Sequence, residues 1–513
     1  MSFKKNASQQ ISLNDRFNNL TERERTILEK SWAIPFSERI FPLIDESKFE
    51  VLYCEDNGRP NTPINVVIGS LLLKEITRIT DEDLVESVNL DPRYQVALRL
   101  TSSGEIPYSD RTPSRLRERL YKHELLTGED LLKAEIERLG EELTKFLTIH
   151  NKLKRMDSLM VLSSCKKMGR LELMYTCVSN LAKSIIANGE EELLTAELKK
   201  YADDSNKNAV CYRLEKDEVQ SRLETVAADA LKLIDICGNR YDKIEEYQLL
   251  QRMLGDQTSN GKLKQNKEIS PGSLQNPSDP DATFRRKAGK EYQGYTANVV
   301  ETCGDNGNII TKYDLKNNLH SDAEFGATVI EEQGKQEETL TVIADGAYAS
   351  KDNFDAAKEN NIALITTNLT GQKPPEILLE FTIENETVVS CPAGQVPTDT
   401  NYNEKSGEYC AQFDRGTCET CPCREQCPVK TSKKTATVKL SKATLERAEY
   451  ASKLKTEEYK QYARKRNGVE GVPSILRRFY GVDNMPVRGL VRAKMWLGFK
   501  IGAINAKRVM AMA

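Results

Sequence analysis

The sequence predicts an α/β protein: a mixed five-stranded core with an N-terminal helical domain, a helical insertion and a cysteine-rich insertion. Three observations predict it. Short apolar runs with branched side chains, such as "LTVIA" at 340–344, stop at an acid or a glycine, as buried strands do. Between 273 and 374 such runs alternate with segments of helical period, the order of an α/β sheet. Six of the twelve cysteines then fall within residues 391–427, where that alternation stops.

Each element follows in order. Residues 1–30 are polar and read as an arm. Residues 31–147 have helical periodicity throughout: Pro63 opens "INVVIGSLLLKEITR" in its first turn, and "TDEDLVESVNL" starts with Thr80 as N-cap and Asp83 three residues on. Two helices joined by a tight turn fit a helix-turn-helix module and fit a small bundle equally well. "KLKRMDSLMVLSSC" (152–165) is strand-like and interrupted by Asp157. The block 173–272 is helical, with helices closed by Gly238 and by Gly255, and ends in a polar linker. "KEYQGYTANVVETCGDNGNIITKYDL" reads as a hairpin turning at Asn306-Gly307. A helix opened by Ser321 and Glu324, the strand ending in Asp345, a helix from about Lys351 and the strand "IALITTN" complete the set. The core is thus expected from 148–172 with 273–374 and 460–513, and the cysteine-rich insertion from 375–459.

Composition narrows the function. At 513 residues, 29% charged and 39% hydrophobic, the chain has material for about three domains. No apolar run reaches the roughly 18 residues of a membrane span, so no membrane partner is expected. "MSFKKNASQQISLNDRF" has no apolar stretch behind its lysines, which argues against a secretory signal and for the cytoplasm. Net charge is only −3, yet residues 428–513 carry 20 Lys+Arg against 6 Asp+Glu. That asymmetry points the C-terminal segment at a polyanion.

The strands ending near Asp157 and Asp345 would be adjacent in such a sheet. Two carboxylates side by side repel by roughly 4 kcal/mol at 4 Å with an effective dielectric near 20, so the pairing calls for a cation or a proton between them. Hard divalent ions such as Mg²⁺ take oxygen ligands and keep positions open for phosphates. Gly346 then lets a backbone or phosphate come close. Taken singly, Asp345 reads more readily as the cap of the next turn and Asp157 as an ordinary strand-end acid. A third acid lies in "YARKRNGVEGVPSILRRFYG": on a continuous helix Arg466, Glu470 and Arg477 share one face, although Gly468, Gly471 and Pro473 weaken that helix.

The set "RMDSLMV", "VIADGAYAS" and "RKRNGVEGVPS", with the tail "PVRGLVRAKMWLGFKIGAINAKR", resembles the bacterial insertion-sequence transposases of the DDE type, in particular the group named after insertion sequence eleven-eighty-two. The resemblance covers nearly the whole chain. It implies an RNase H-like core with Asp157, Asp345 and Glu470 as an acidic triad holding two Mg²⁺ or Mn²⁺ ions. It also implies action on double-stranded DNA, at element ends and target, by a homodimer at the nucleoid. Relatives carry Tyr-x2-Arg-x3-Glu-x6-Lys; here Arg466 and Glu470 match, Arg477 replaces the Lys, and Tyr462 stands one residue too far from Arg466. The rival readings are a silent DNA-binding relative and a metal-dependent nuclease without strand transfer.

Two further groups stand out. "CETCPCREQC" gives Cys418-x2-Cys421-x5-Cys427, with Cys391 upstream, a spacing suited to a structural zinc site; Cys410 and Cys423 are alternates, and free thiols are the alternative. Arg285, Arg286, Lys287 and Lys290, together with Tyr462, Arg466, Arg477 and Arg478, are the expected DNA contacts.

Overall fold

The computed structural model describes residues 1–6, 20–54, 58–100, 108–149, 153–212, 215–287 and 289–512. With 53% helix and 18% strand the protein is of the mixed α/β kind expected. It divides into two compact units: Met1–Asn151, Asp157–Ser321 and Val472–Ala513 form the first, and Lys152–Met156 with Asp322–Gly471 the second.

In the first unit the expected arm is held at its start, where Ser2 and Phe3 donate backbone hydrogen bonds to Arg59 and Cys54, and residues Glu22–Glu29 form a helix. The rest of the arm, residues 7–19, lies outside the described residues. Helix α1 (Ile64–Thr77) takes Pro63 as its N-cap, one position earlier than expected. Arg78 closes it at φ 59°, and Thr80 starts α2 (Asp81–Leu90) with both halves of the predicted capping box. Helices α3 (Arg111–Thr127) and α4 (Leu131–Phe146) follow.

The C-terminal helix, Leu490–Met510, overturns part of the charge reading. Leu497, Phe499, Ile501 and Ile504 are buried, as is Lys500. Its cations serve the interior: Lys494 pairs with Glu124, Lys500 with Glu75 and Arg508 with Glu301, at 2.5–2.9 Å. Gly498 and Gly502 allow this depth, since a Cβ at either would lie 2.5–2.6 Å from Tyr313 or Leu72. Three of the twenty C-terminal cations are therefore paired with acids of the N-terminal helices and of the strand Lys290–Gly304, and are not free for a polyanion.

The helical block forms its own core. Helices α5 (Arg170–Ala187), α6 (Lys216–Cys237) and α7 (Glu245–Gln257) bury Met174, Leu181, Ile185, Leu233 and Leu250 against one another. Gly238 closes α6 as expected; α7 runs two residues past Gly255.

The strands of this unit are the C-terminal part of β1 (Leu153–Leu162), β2 (Thr283–Lys287), β3 (Lys290–Gly304) and β4 (Gly307–Asn317). Strand β3 lies beside β1, pairs antiparallel with β2 over its first five residues and with β4 over the remainder. The β3–β4 loop is Asp305-Asn306, one residue earlier than read, because Gly307, at φ 126°, already pairs with Gly304. Strand β2 is additional: the basic run "FRRK" pairs in the ladder and is not merely a lead-in. Gly294 has φ 151° and sits so near β1 that a Cβ would lie 2.2 Å from the Val161 carbonyl, which admits no side chain.

In the second unit the first residues of β1 pair parallel with β5 (Leu340–Ala344), Arg155 opposite Ile343, and β5 pairs parallel with β6 (Ile362–Thr366), Ala344 opposite Thr366. Helix α8 (Asp322–Gln333) precedes β5, and α9 (Lys351–Glu359) makes the crossover to β6 that a parallel pair requires. The five expected strands are thus β1, β3, β4, β5 and β6. The cysteine-rich segment folds around an antiparallel sheet of β7 (Asp399–Asn403), β8 (Glu408–Asp414) and β9 (Thr435–Ser441), with Ala411, Phe413, Val438 and Leu440 buried. Helices α10 (Lys442–Lys453) and α11 (Glu457–Asn467) follow it.

Candidate acidic site and cysteine cluster

Asp345 follows directly on β5. One carboxylate oxygen accepts the Ala347 N–H at 2.7 Å and caps the turn Gly346–Tyr348; the other accepts no hydrogen bond from the described residues. The capping role expected of a strand-end acid is thus present, and it leaves the second oxygen at the strand end. Gly346 has its own cause. Its N–H donates to Asn368 Oδ1 at 2.5 Å, and a Cβ would stand 2.6 Å from the Asn368 carbonyl oxygen. The close approach predicted for Gly346 is by the chain's own backbone after β6. Gly346→Ala is therefore expected to force the Asp345 and Asn368 segments apart, costing about 1–3 kcal/mol. A thermal melt reads the loss, and an unchanged transition would remove the steric argument.

Glu470 lies in a single 3₁₀ turn, Gly468–Glu470, between α11 and the helix Gly471–Tyr480. The expected weakness is here and not at Pro473, because Gly468 meets an arginine. Arg155 of β1, buried, donates to the Lys465 carbonyl at 2.8 Å, and a Cβ on Gly468 would lie 2.2 Å from its guanidinium. Arg155 thus fixes the end of α11. Arg466 holds Glu470 at 3.3 Å, four residues away, as the helical spacing predicts, and Glu470 remains exposed. Arg477 is paired with Asp483 at 3.5 Å.

Tyr462 has a structural partner. Its ring meets Tyr459 edge-on, Tyr459 meets Tyr450 in the same way, and Tyr450 Oη accepts from the Thr366 N–H at 2.7 Å and donates to its carbonyl at 2.9 Å. This ladder ties α10 and α11 to the end of β6, level with Ala344 and so next to Asp345. Neither Arg155 nor Tyr450 was singled out from the sequence. The one available signal was alternation, which puts Arg155 on the same strand face as Asp157.

Asp157 is buried in β1, in the first unit, and accepts the Ser158 N–H at 2.9 Å. Arg286, Lys287 and Lys290 are exposed at the tip of the β2–β3 hairpin, where Lys287 pairs with Lys290 in register, while Arg285 is half-buried and reaches the His320 carbonyl. Lys167 adds a further cation there, bonded to the Glu291 carbonyl at 3.4 Å. Arg478 is exposed on the helix Gly471–Tyr480.

Cys391, Cys418, Cys421, Cys423 and Cys427 line one cavity of about 20 Å³ together with Phe413, Val429 and Val438. A turn closed by the Gly394 N–H on the Cys391 carbonyl carries the first, and the short helix Arg415–Glu419 the second. Burial and the neighbouring thiols push Cys418 and Cys427 above the usual thiol range. Cys410 points elsewhere in the ladder, paired in register with Asn401 and Lys439, and does not line the cavity. The thiols are neighbours and not a finished ligand set: among the described residues, no three His, Cys, Asp or Glu are grouped to hold a metal ion.

An acid thus stands at the end of a parallel strand, beside a helix rich in Arg and Lys. Residues 24–119 match the family described as "Transposase domain (DUF772)", and residues 390–510 match "Transposase DDE domain", a stretch that holds Glu470 and the cysteine cluster. These two matches support a bacterial insertion-sequence transposase, and the DDE-domain match indicates a DNA transposase enzyme. No curated protein and no solved structure matches it. No helix among the described residues is long and apolar enough to cross a membrane.

Proposed function

We propose that this transposase is of the group of insertion sequence eleven-eighty-two, nicks the ends of its own element and joins the freed 3′-hydroxyl to target DNA. In this reading its core is RNase H-like, and Asp157, Asp345 and Glu470 are the residues that hold two divalent ions, Mg²⁺ or Mn²⁺. Such ions stabilise the attacking and leaving oxygens of an in-line displacement at phosphorus. The observation that carries the reading is the register of β1 on β5. Arg155 pairs with Ile343, and each is followed two positions later by an acid, Asp157 and Asp345. Arg155 also anchors the end of α11, which stops at Asn467, three residues before Glu470, and so links the strand to the third acid.

The protein's own groups orient the substrate. Arg466, Arg478 and the hairpin cations Arg286, Lys287 and Lys290 track phosphates, with Lys167 beside them. A homodimer holds two ends for joining. Labelled duplexes carrying the element ends, incubated with protein and Mg²⁺, test this: nicking followed by joined products is expected, and nicking without joining would make the chain a nuclease. If about six phosphates are neutralised, log affinity for end DNA falls against log salt with a slope of roughly −5. A slope near zero would contradict the basic tip as the contact.

We also place a structural zinc among Cys391, Cys418, Cys421 and Cys427. Soft thiolates on a Cys-x2-Cys spacing suit Zn²⁺, and all four of these cysteines line the one cavity. Metal analysis is expected to give about one zinc per chain, lost in Cys421→Ser. Zinc-free protein with an unchanged melting profile would overturn the assignment.

A further inference from the structure

A second feature of the first unit is absorbed by none of this. A cavity of about 400 Å³ opens between α1, α3, Pro486-Val487 and the C-terminal helix. Its walls include Tyr121, Trp496 and Phe499, and cations outnumber acids among its lining side chains by four to two. Most of these charges are already matched. Lys500 pairs with Glu75, Arg117 with Asp81, and Glu118 with Lys122. Arg492, exposed at the rim, makes no ion pair among the described residues; its guanidinium lies 4.1 Å over the Tyr121 ring. Lys500 lies 4.5 Å over the Trp496 ring.

An aromatic cleft with one unmatched cation at its mouth selects a ligand that is flat, largely apolar and joined to an anion. A nucleobase with its phosphate has that form, and base–aromatic stacking beside a cation is the general way proteins hold unpaired strands. The volume is in the range of ligand pockets and ample for a base with its sugar. We infer that this cavity takes an unpaired base of a DNA strand, stacked on Trp496, with its phosphate on Arg492. The inference rests on the proposed action at DNA ends, where strands must separate from their partners.

The chain has two tryptophans, and Trp32 packs edge-on against Tyr94 and does not line the cavity. In full-length protein carrying Trp32→Phe, fluorescence therefore reports Trp496 alone. An oligothymidylate of about eight nucleotides is expected to quench it by about half or more. Trp496→Leu should weaken binding of that oligonucleotide about tenfold, and Arg492→Gln, at the exposed rim, about fivefold, with duplex binding within about twofold. Unquenched emission from protein that still binds duplex would overturn the cavity and leave the transposition reading standing. Failure to bind either DNA would strike at that reading, and this inference would go with it. Equal quenching by free thymidine monophosphate would replace the strand by a free nucleotide and overturn the assignment.

Discussion

Asp345→Asn is expected to lower cleavage of element ends by about 10³-fold or more while leaving DNA binding within a few-fold. The two halves of this expectation come from two oxygens of one side chain. The oxygen that caps Gly346–Tyr348 accepts the Ala347 N–H, and an asparagine oxygen accepts it as well. The turn therefore persists, and stability should change by no more than about 1 kcal/mol. The other oxygen is the one proposed to meet a divalent ion, and an amide carries no charge for it. Losing several kcal/mol of transition-state stabilisation corresponds to the stated factor. Glu470→Gln is expected to behave in the same way, since Glu470 is exposed and its only partner among the described residues is Arg466. The measurement is the initial rate of nicking in Mg²⁺, with binding followed on the same duplex. An Asp345→Asn protein that cleaves at the normal rate would remove Asp345 from the chemistry.

Asp279→Ala is expected to cost about 3–5 kcal/mol of stability. Asp279 is fully buried and gathers three distant parts of the first unit. It accepts from Ser163 Oγ at 2.5 Å, from the Gly489 N–H at 3.0 Å and from the Tyr295 hydroxyl. Burial and this carboxylate together push the Tyr295 phenol far above its ordinary range, so it stays a neutral donor throughout the physiological range. An alanine leaves that hydroxyl and a backbone N–H buried without an acceptor, each at a cost of about 1–3 kcal/mol. Urea denaturation should show the midpoint shift, and Asp279→Asn, which keeps an acceptor, should lose less. A wild-type midpoint for the alanine variant would mean that water replaces the carboxylate.

Local pattern made much of this molecule readable. The capping box at Thr80 and Asp83, the period of α5 to α7 and the strands on either side of Asp345 all depend on neighbours within a few residues. What escaped was long-range. "FRRK" reads as polar sequence, yet it is a strand because β3 is fifteen residues long and has an edge left to pair. Tyr462 looked like a misplaced signature residue, but its ring ends a ladder that begins at Thr366. Gly468 looked like a flaw in a helix, and it is the gap through which Arg155, more than 300 residues earlier, reaches the Lys465 carbonyl.

From the chain alone came the kinds of element, their order, and which side chains have chemistry to offer: three acids, a cysteine cluster and a set of cations. Those follow from periodicity and from side-chain type, which are properties of short stretches. Only the folded molecule decided how the offers were used. It paired Lys494, Lys500 and Arg508 with Glu124, Glu75 and Glu301, and left the β2–β3 tip exposed. It also brought Cys423 to the thiol cavity while holding Cys410 in a ladder. The reason is that a charge or a thiol has no fixed role until its partner arrives, and the partners here come from elements far apart in sequence.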